Sequence, residues 1–365
     1  MSQESCPQLK QELEDIKTLK QEFDLELEQA FASGNTKKAK ALRKKLEAGL
    51  ENIQEKLWPF EALEKKKIEK QYEEQREIME KTGILEKLSN NEMGIKGIDN
   101  KEYTFPKLED IIKKMQEKKE IMETKAEQGF QELLIVPFGM KLDDLIKKYK
   151  QVILKHHQEG ELLATKEKPT DPDEPLELDE NEPVWAWERY NNADVEEKFV
   201  YYPESFNAEN HKGKTKKETL KEQNKKTPTT AGYEILFIED LPNIPREGKG
   251  QIKGREGNKR KQLETGKTPN EYLEILKNDR QYENEILQIT ETQIAYALKY
   301  LEKHHQIIDD YSGKGSASFQ LGAYSPASDY VPYACWNRDY QQAGLGGRGP
   351  EFSFSLLGVR SGVRV

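Results

Sequence analysis

Two histidine doublets, His156-His157 and His304-His305, are the residues best suited to ligate a transition metal. Each falls at the end of a stretch with helical periodicity. Neighbouring positions on a helix point about 100° apart, so one doublet does not close on one ion; the useful helical spacing is i, i+4. Imidazoles in the last turn of a helix are also favoured by its dipole, and no metal is assigned. Asp171, Asp173, Glu174, Asp179 and Glu180 offer oxygens to calcium. They lack the spacing of an EF-hand loop and read as a solvated acidic loop. Gly248-Lys249-Gly250, Gly254 and Gly257, with Lys253, Arg255, Lys259 and Arg260, point toward phosphate, but a Walker motif is missing and the stretch reads as a flexible basic loop. No Ser/His/Asp set and no Gly-x-Ser-x-Gly elbow supplies a nucleophile. Cys6 and Cys335 lie too far apart in sequence to suggest a disulfide framework or a metal knuckle. The expectation is a protein without catalytic residues, metal or cofactor.

Composition narrows the classes further. Hydrophobic residues make up 35% of the 365, charged residues 34%, and the mean hydropathy is −0.95. That is too polar for one large core, so part of the chain is expected as extended helix. A net charge of −9 argues against a general nucleic-acid binder, which needs a basic face. No run approaches the ~20 apolar residues of a membrane span. The start, Met1-Ser2-Gln3-Glu4-Ser5-Cys6, has neither the basic nor the apolar segment of a signal peptide, so a soluble cytoplasmic protein is expected.

The elements that must position any site fall into two halves. Leu9, Leu13, Ile16, Phe23 and Leu27 keep a 3,4 spacing, Gly34-Asn35 breaks it, and Ala39, Leu42, Leu46, Ile53, Leu57 and Phe60 resume it. This predicts a helical coiled-coil region that self-associates. A hairpin is expected near 93–106, around Asp99-Asn100, and a helix from about Leu108 to Lys125. The fold class is α+β: a helical region over 1–125, then a mixed α+β domain over 131–365. In the second part, Leu133–Val136 reads as a buried strand. Leu142, Leu145, Ile146, Tyr149, Val152 and Ile153 mark a helix face. Val184–Trp187, Phe199–Tyr202 and Tyr233–Ile238 read as strands, 209–229 as a mobile excursion, and helices begin at Pro269 and, capped by Thr290, near residue 290.

The last fifty residues change character from Lys/Glu-rich to Tyr, Trp, Ser, Gly, Asn and Arg. Phe352, Phe354 and Leu356 alternate with Ser353 and Ser355, which predicts a strand. Val359, Val363 and Val365 fall opposite Arg360 and Arg364, a second one. Between them and Tyr333, the glycines Gly344, Gly346, Gly347 and Gly349 predict an exposed, mostly irregular surface. Tyr, Trp, Arg, Asn and Gly are also what binding surfaces use. The candidate ligand contacts are Tyr333, Trp336, Asn337, Arg338, Asp339, Tyr340 and Arg348.

The closing Leu357-Gly358-Val359-Arg360-Ser361-Gly362-Val363-Arg364 resembles the terminal strand of formylglycine-generating-enzyme-like domains, within the wider C-type-lectin-like fold. Val331-Pro332-Tyr333-Ala334-Cys335-Trp336-Asn337-Arg338-Asp339-Tyr340 is similar to the variable region of proteins diversified by diversity-generating retroelements. The resemblance implies a C-type-lectin-like domain whose altered residues form a ligand surface just before a constant final strand, with a protein or other macromolecule as partner. Formylglycine-generating enzymes use a cysteine pair; only Cys335 stands in that region, so their activity is not implied. The expected function is non-catalytic ligand binding. The alternatives are a structural coiled-coil scaffold and an enzyme on a formylglycine-type fold whose active site the sequence does not reveal.

Overall fold

The computed structural model describes residues 58–365 except 314, together with positions 23, 37, 40, 41 and 44, all five helical. The remaining positions of the coiled-coil seam, Cys6 and the self-association expected there lie outside the described residues. Met1–Glu61 and Ala62–Val365 separate as two units.

In chain order the helices of Ala62–Val365 are α1 (Lys65–Lys81), α2 (Leu108–Glu117), α3 (Lys119–Glu127), α4 (Leu142–Gln158), α5 (Lys216–Lys226), α6 (Pro269–Asn278) and α7 (Thr290–His304). Its first strands are β1 (Glu86–Lys87), β2 (Met93–Lys96), β3 (Glu102–Thr104), β4 (Glu132–Val136), β5 (Val184–Ala186), β6 (Val200–Tyr201), β7 (Glu234–Ile238) and β8 (Ile252–Lys253). They continue with β9 (Arg260–Lys261), β10 (Ile286–Leu287), β11 (Ala317–Phe319), β12 (Ala323–Tyr324), β13 (Val331–Asn337), β14 (Gln342–Arg348), β15 (Leu357–Val359) and β16 (Ser361–Arg364). The fold is mixed α+β. Two sheets dominate: an antiparallel one in the order β10-β16-β7-β4, and a mixed one in the order β15-β11-β13-β14-β5. No helix among the described residues is long and apolar enough to cross a membrane.

The four-stranded sheet forms where the sequence is most apolar. Leu134, Val136, Leu236 and Ile238 pack on Ala295, Tyr296 and Ala297 of α7. Helix α7 is buried around most of its circumference, so its buried charged residues must be paired. Lys216 reaches Glu291 at 2.8 Å, Tyr201 Oη donates to the same carboxylate at 2.7 Å, and Lys299 Nζ sits 2.6 Å from Glu132. The open edge of β4 is closed by α1. Gln71 and Gln75 lie one turn apart, about 6 Å along a helix, close to the roughly 6.7 Å between alternate residues of a strand. Each amide therefore meets the backbone of β4: Leu133 N–H donates to Gln71 Oε1 at 3.1 Å, Ile135 N–H donates to Gln75 Oε1 at 2.9 Å, and Gln75 Nε2 donates back to the Ile135 carbonyl at 3.0 Å. Two glutamines thus stand in for a neighbouring strand and block edge pairing.

Strand β16 is held between β10 and β7. The single strand expected from Val359 to Val365 is broken at Arg360, Val359 ending β15 of the five-stranded sheet and Val363 lying on β16; Val359, Val363 and Val365 are all buried. Arg360 forms a fork on Asp309, both contacts at 2.7 Å, and Arg364 reaches Glu234 at 3.0 Å.

Several expectations are corrected. The chain does not divide near 125–131: α1, α2, α3 and the β1-β2-β3 sheet belong to the same unit as β4. Lys125 Nζ, for example, pairs with Glu285 at 2.7 Å, so α3 is tied to the distal part of the chain. Residues 216–226 are helix α5 and not an excursion, started by a capping box between Thr215 and Glu218. Within 246–262, β8 pairs with β9, and Arg260 is buried against Glu239 and Glu285, at 2.9 and 2.7 Å. Thr290 is the first residue of α7; Ile289 stands at its N-cap. Residues 352–356 form no strand, and the rings of Phe352 and Phe354 are exposed.

Candidate functional site: an aromatic groove on the β13–β14 hairpin

Strands β13 and β14 pair in full register from Val331↔Arg348 to Asn337↔Gln342. The stretch expected to be irregular is therefore a regular hairpin. Its glycines explain why. None of Gly344, Gly346, Gly347 and Gly349 has a positive φ, so no special turn demands them. Gly344, Gly346 and Gly347 are there for close approach. A Cβ on Gly346 would sit 2.4 Å from the Tyr333 ring, one on Gly344 3.3 Å from Cys335 Sγ, and one on Gly347, on the other face, 2.6 Å from Trp187. Glycine opposite Tyr333 and Cys335 lets their side chains lie across the sheet and hollows its outer face.

Alternation along a strand then sorts the residues. Ala334 and Trp336 of β13, with Ala343 and Leu345 of β14, point into the core. Tyr333, Cys335 and Asn337, with Gln342 and Gly344, point outward and floor a groove of about 760 Å³. Ala317 of β11, Leu357 of β15 and Trp185 of β5 extend the floor across the whole five-stranded sheet. Tyr311, Tyr340, Phe352, Phe354 and Arg348 form its walls, and Glu182 is its one carboxylate.

Of the seven sequence-predicted contacts, the structure brings four to this groove: Tyr333, Asn337, Tyr340 and Arg348. Tyr340 is 68% exposed. Asn337 also closes the hairpin turn, its Oδ1 accepting the Asp339 and Tyr340 N–H groups at 3.0 and 3.3 Å. Asp339 is exposed on that turn but does not line the groove. Arg338 is not free for a ligand. Its guanidinium lies 2.5 Å from both Asp310 and Glu174, which fixes the turn to the body of the domain. Trp336 is corrected outright: it is 1% exposed and faces the core, because it shares strand parity with Ala334 and not with Tyr333.

Arg348 has a different environment. Its guanidinium carbon stands 5.4 Å from the Tyr333 ring centre and 5.3 Å from that of Phe352, a stacked cation between two rings. No carboxylate among the described residues pairs with it, so its hydrogen-bonding edges remain available. At the floor, burial pushes the Cys335 thiol up to about 12, with the nearby Asp309 charge acting in the same sense. It is a neutral, weakly nucleophilic group at physiological pH. Burial raises the phenols of Tyr333 and Tyr311 as well, so both stay protonated.

Sequence reasoning missed Trp185, Tyr311, Phe352 and Phe354. The alternation of Phe352 and Phe354 was the visible signal, but it marks two rings leaning over a groove. The acidic residues weighed for calcium are spent separately. Asp173 pairs with Lys166 at 2.7 Å, Glu174 with Arg338 at 2.5 Å and Glu180 with His157 at 3.6 Å, while Asp171 and Asp179 cap local backbone N–H groups.

No protein-family model matches the chain, and neither the curated proteins nor the solved structures yield a match.

Proposed function

We propose that Ala62–Val365 is a non-catalytic binding module of C-type-lectin-like type, which holds a protein or other macromolecular partner in the groove of the β13–β14 hairpin. One observation carries this reading. Among the described residues seven large apolar side chains are exposed, and four of them, Trp185, Tyr340, Phe352 and Phe354, line this one groove. Clustered exposed aromatics mark interaction sites, whereas scattered ones do not. Arg348, stacked and free of a carboxylate, is placed to meet an acidic or other anionic group of the partner. The enzyme alternative has less support, since a groove with one carboxylate and a protonated thiol offers no acid–base pair.

The groove is further proposed to be a diversified surface of the retroelement type. The hairpin's parity supports this: Asn337, Tyr340 and Gln342 change the groove from its outer face, while Tyr333 also packs against buried residues. The neighbouring DNA tests it. A near-copy of the 3′ coding end, differing at adenines and lying beside a reverse transcriptase, is expected; without one the diversification reading falls and the groove remains. For binding itself, a photo-crosslinking residue at Tyr340 should capture a defined partner in the source cells. The same residue at Val195, exposed at 64% away from the groove, should not. Identical products at both positions would overturn the assignment.

A further inference from the structure

The two histidine doublets do meet, but one residue from each. Helix α4 ends just beyond His156, α7 ends at His304, and the segments that follow them run side by side. Glu161 N–H donates to the His156 carbonyl at 2.8 Å, Leu163 N–H donates to the His305 carbonyl at 2.9 Å, and Ile307 N–H donates to the Leu163 carbonyl at 3.0 Å. His305 caps α7 in the left-handed region, at φ 58°. These backbone bonds fix His156, Glu161 and His305 around one point. One ligand atom from each lies within 4.8 Å of the other two.

Independent of that clustering, His156 is 1% exposed, yet neither of its ring nitrogens has a hydrogen-bond partner among the described residues. Its Nε2 approaches Glu302 Oε1 at 3.3 Å without hydrogen-bond geometry. A buried imidazole with unsatisfied nitrogens is costly unless something fills its valence. The negative ends of two helix dipoles converge here with Glu161 beside them, a setting that favours a cation, while Glu302 is already paired with Lys81 at 2.5 Å. His305 Nδ1 already lies 3.1 Å from Glu161 Oε2.

We propose that His156, Glu161 and His305 form a binding site for a zinc-type divalent cation that clamps the end of α4 to the end of α7. Two imidazoles and one carboxylate select a borderline transition ion over magnesium or calcium, which take oxygen ligands. Tetrahedral zinc needs ligands at roughly 2.0–2.2 Å, so the three donors must draw together from their present spacing. His305 and Glu161, with side chains 44% and 47% exposed, have the freedom to do so, while buried His156 stays fixed.

The test uses the full chain stripped by a chelator and titrated with Zn²⁺, and in parallel with Co²⁺, whose visible absorption reports tetrahedral ligation. One ion per chain is expected, with a rise in melting temperature on addition of Zn²⁺. The double variant Glu161→Gln/His305→Asn changes two partly exposed side chains, so its metal-free melting temperature should match the wild type. Its zinc affinity should fall by at least about 100-fold, since even outer partners of a metal site are worth 10–100-fold. No saturable binding by the wild type, or binding and cobalt absorption unchanged in the double variant, would overturn the site.

Discussion

The two faces of the β13–β14 hairpin share a backbone, yet they follow different rules. The inner face is enclosed by the domain. Trp336 is enclosed, its backbone N–H donates to the Asp309 carbonyl at 2.7 Å, and Asp309 in turn receives the fork of Arg360. The outer face is more open: rings stand in solvent and Arg348 stacks without a counter-ion among the described residues. Two arginines less than fifteen residues apart in sequence thus have opposite fates. Arg360 belongs to the fold. Arg348 is held only by its stack on Tyr333 and Phe352, with no carboxylate partner among the described residues, which suits the proposed binding role.

The arginines give the largest contrast. Arg360→Ala leaves Asp309 buried without its counter-charge and should cost about 3–5 kcal/mol in chemical denaturation. Arg348→Ala, at an exposed position, should cost under about 1 kcal/mol. Equal costs would erase the distinction between the faces.

Trp336→Ala comes next, opening a cavity in the core at about 3–5 kcal/mol. Trp336→Phe should cost less, because the buried indole N–H has no protein partner among the described residues and its removal leaves nothing unpaired. A Phe variant as unstable as Ala would mean that this N–H is bonded after all.

Gly346→Ala tests how the groove is hollowed. The new methyl group would displace the Tyr333 ring, at a cost of about 1–3 kcal/mol, whereas Gly349→Ala meets no atom within 4 Å and should be near neutral. Comparable melting temperatures for the two would refute the close-approach account of the glycines.

A smaller effect concerns Cys335. Its thiol is raised in the folded state to about 12, above the roughly 8.5 of an unfolded cysteine. The folded protein therefore holds this proton more tightly. The associated stability is fully present below about pH 8.5 and is lost as pH rises toward 12. In a Cys6→Ser background, native Cys335 should resist alkylation at pH 8 and react on unfolding. Cys335→Ala should flatten the alkaline decline in stability slightly, and prompt native labelling would contradict the burial of the thiol.

The reach of the sequence follows from the physics of each region. Strands β4 and β7 are legible because all ten of their residues are buried, so that after Glu132 and Glu234 each is an unbroken apolar run. Helix α5 is nearly all polar and is marked only by the Thr215–Glu218 box. The groove was legible as a composition but not as a surface. Tyr333 and Trp336 are both aromatic, and which of the two faces outward depends on register, which composition does not set. The loop rings of Phe352 and Phe354 repeat every second residue, as a strand would. The meeting of His156 with His305 is a contact across nearly 150 residues, invisible to any local spacing rule.

The most direct measurement pairs affinity with stability in one protein, the double variant Tyr340→Ser/Arg348→Ser, using the partner captured at position 340. If the outer face exists for binding, the melting temperature stays within a few degrees of wild type while affinity falls by about 100-fold or more, the scale of losing two anchoring contacts. A variant that binds the partner as the wild type does, but melts far lower, would show that these residues serve the fold.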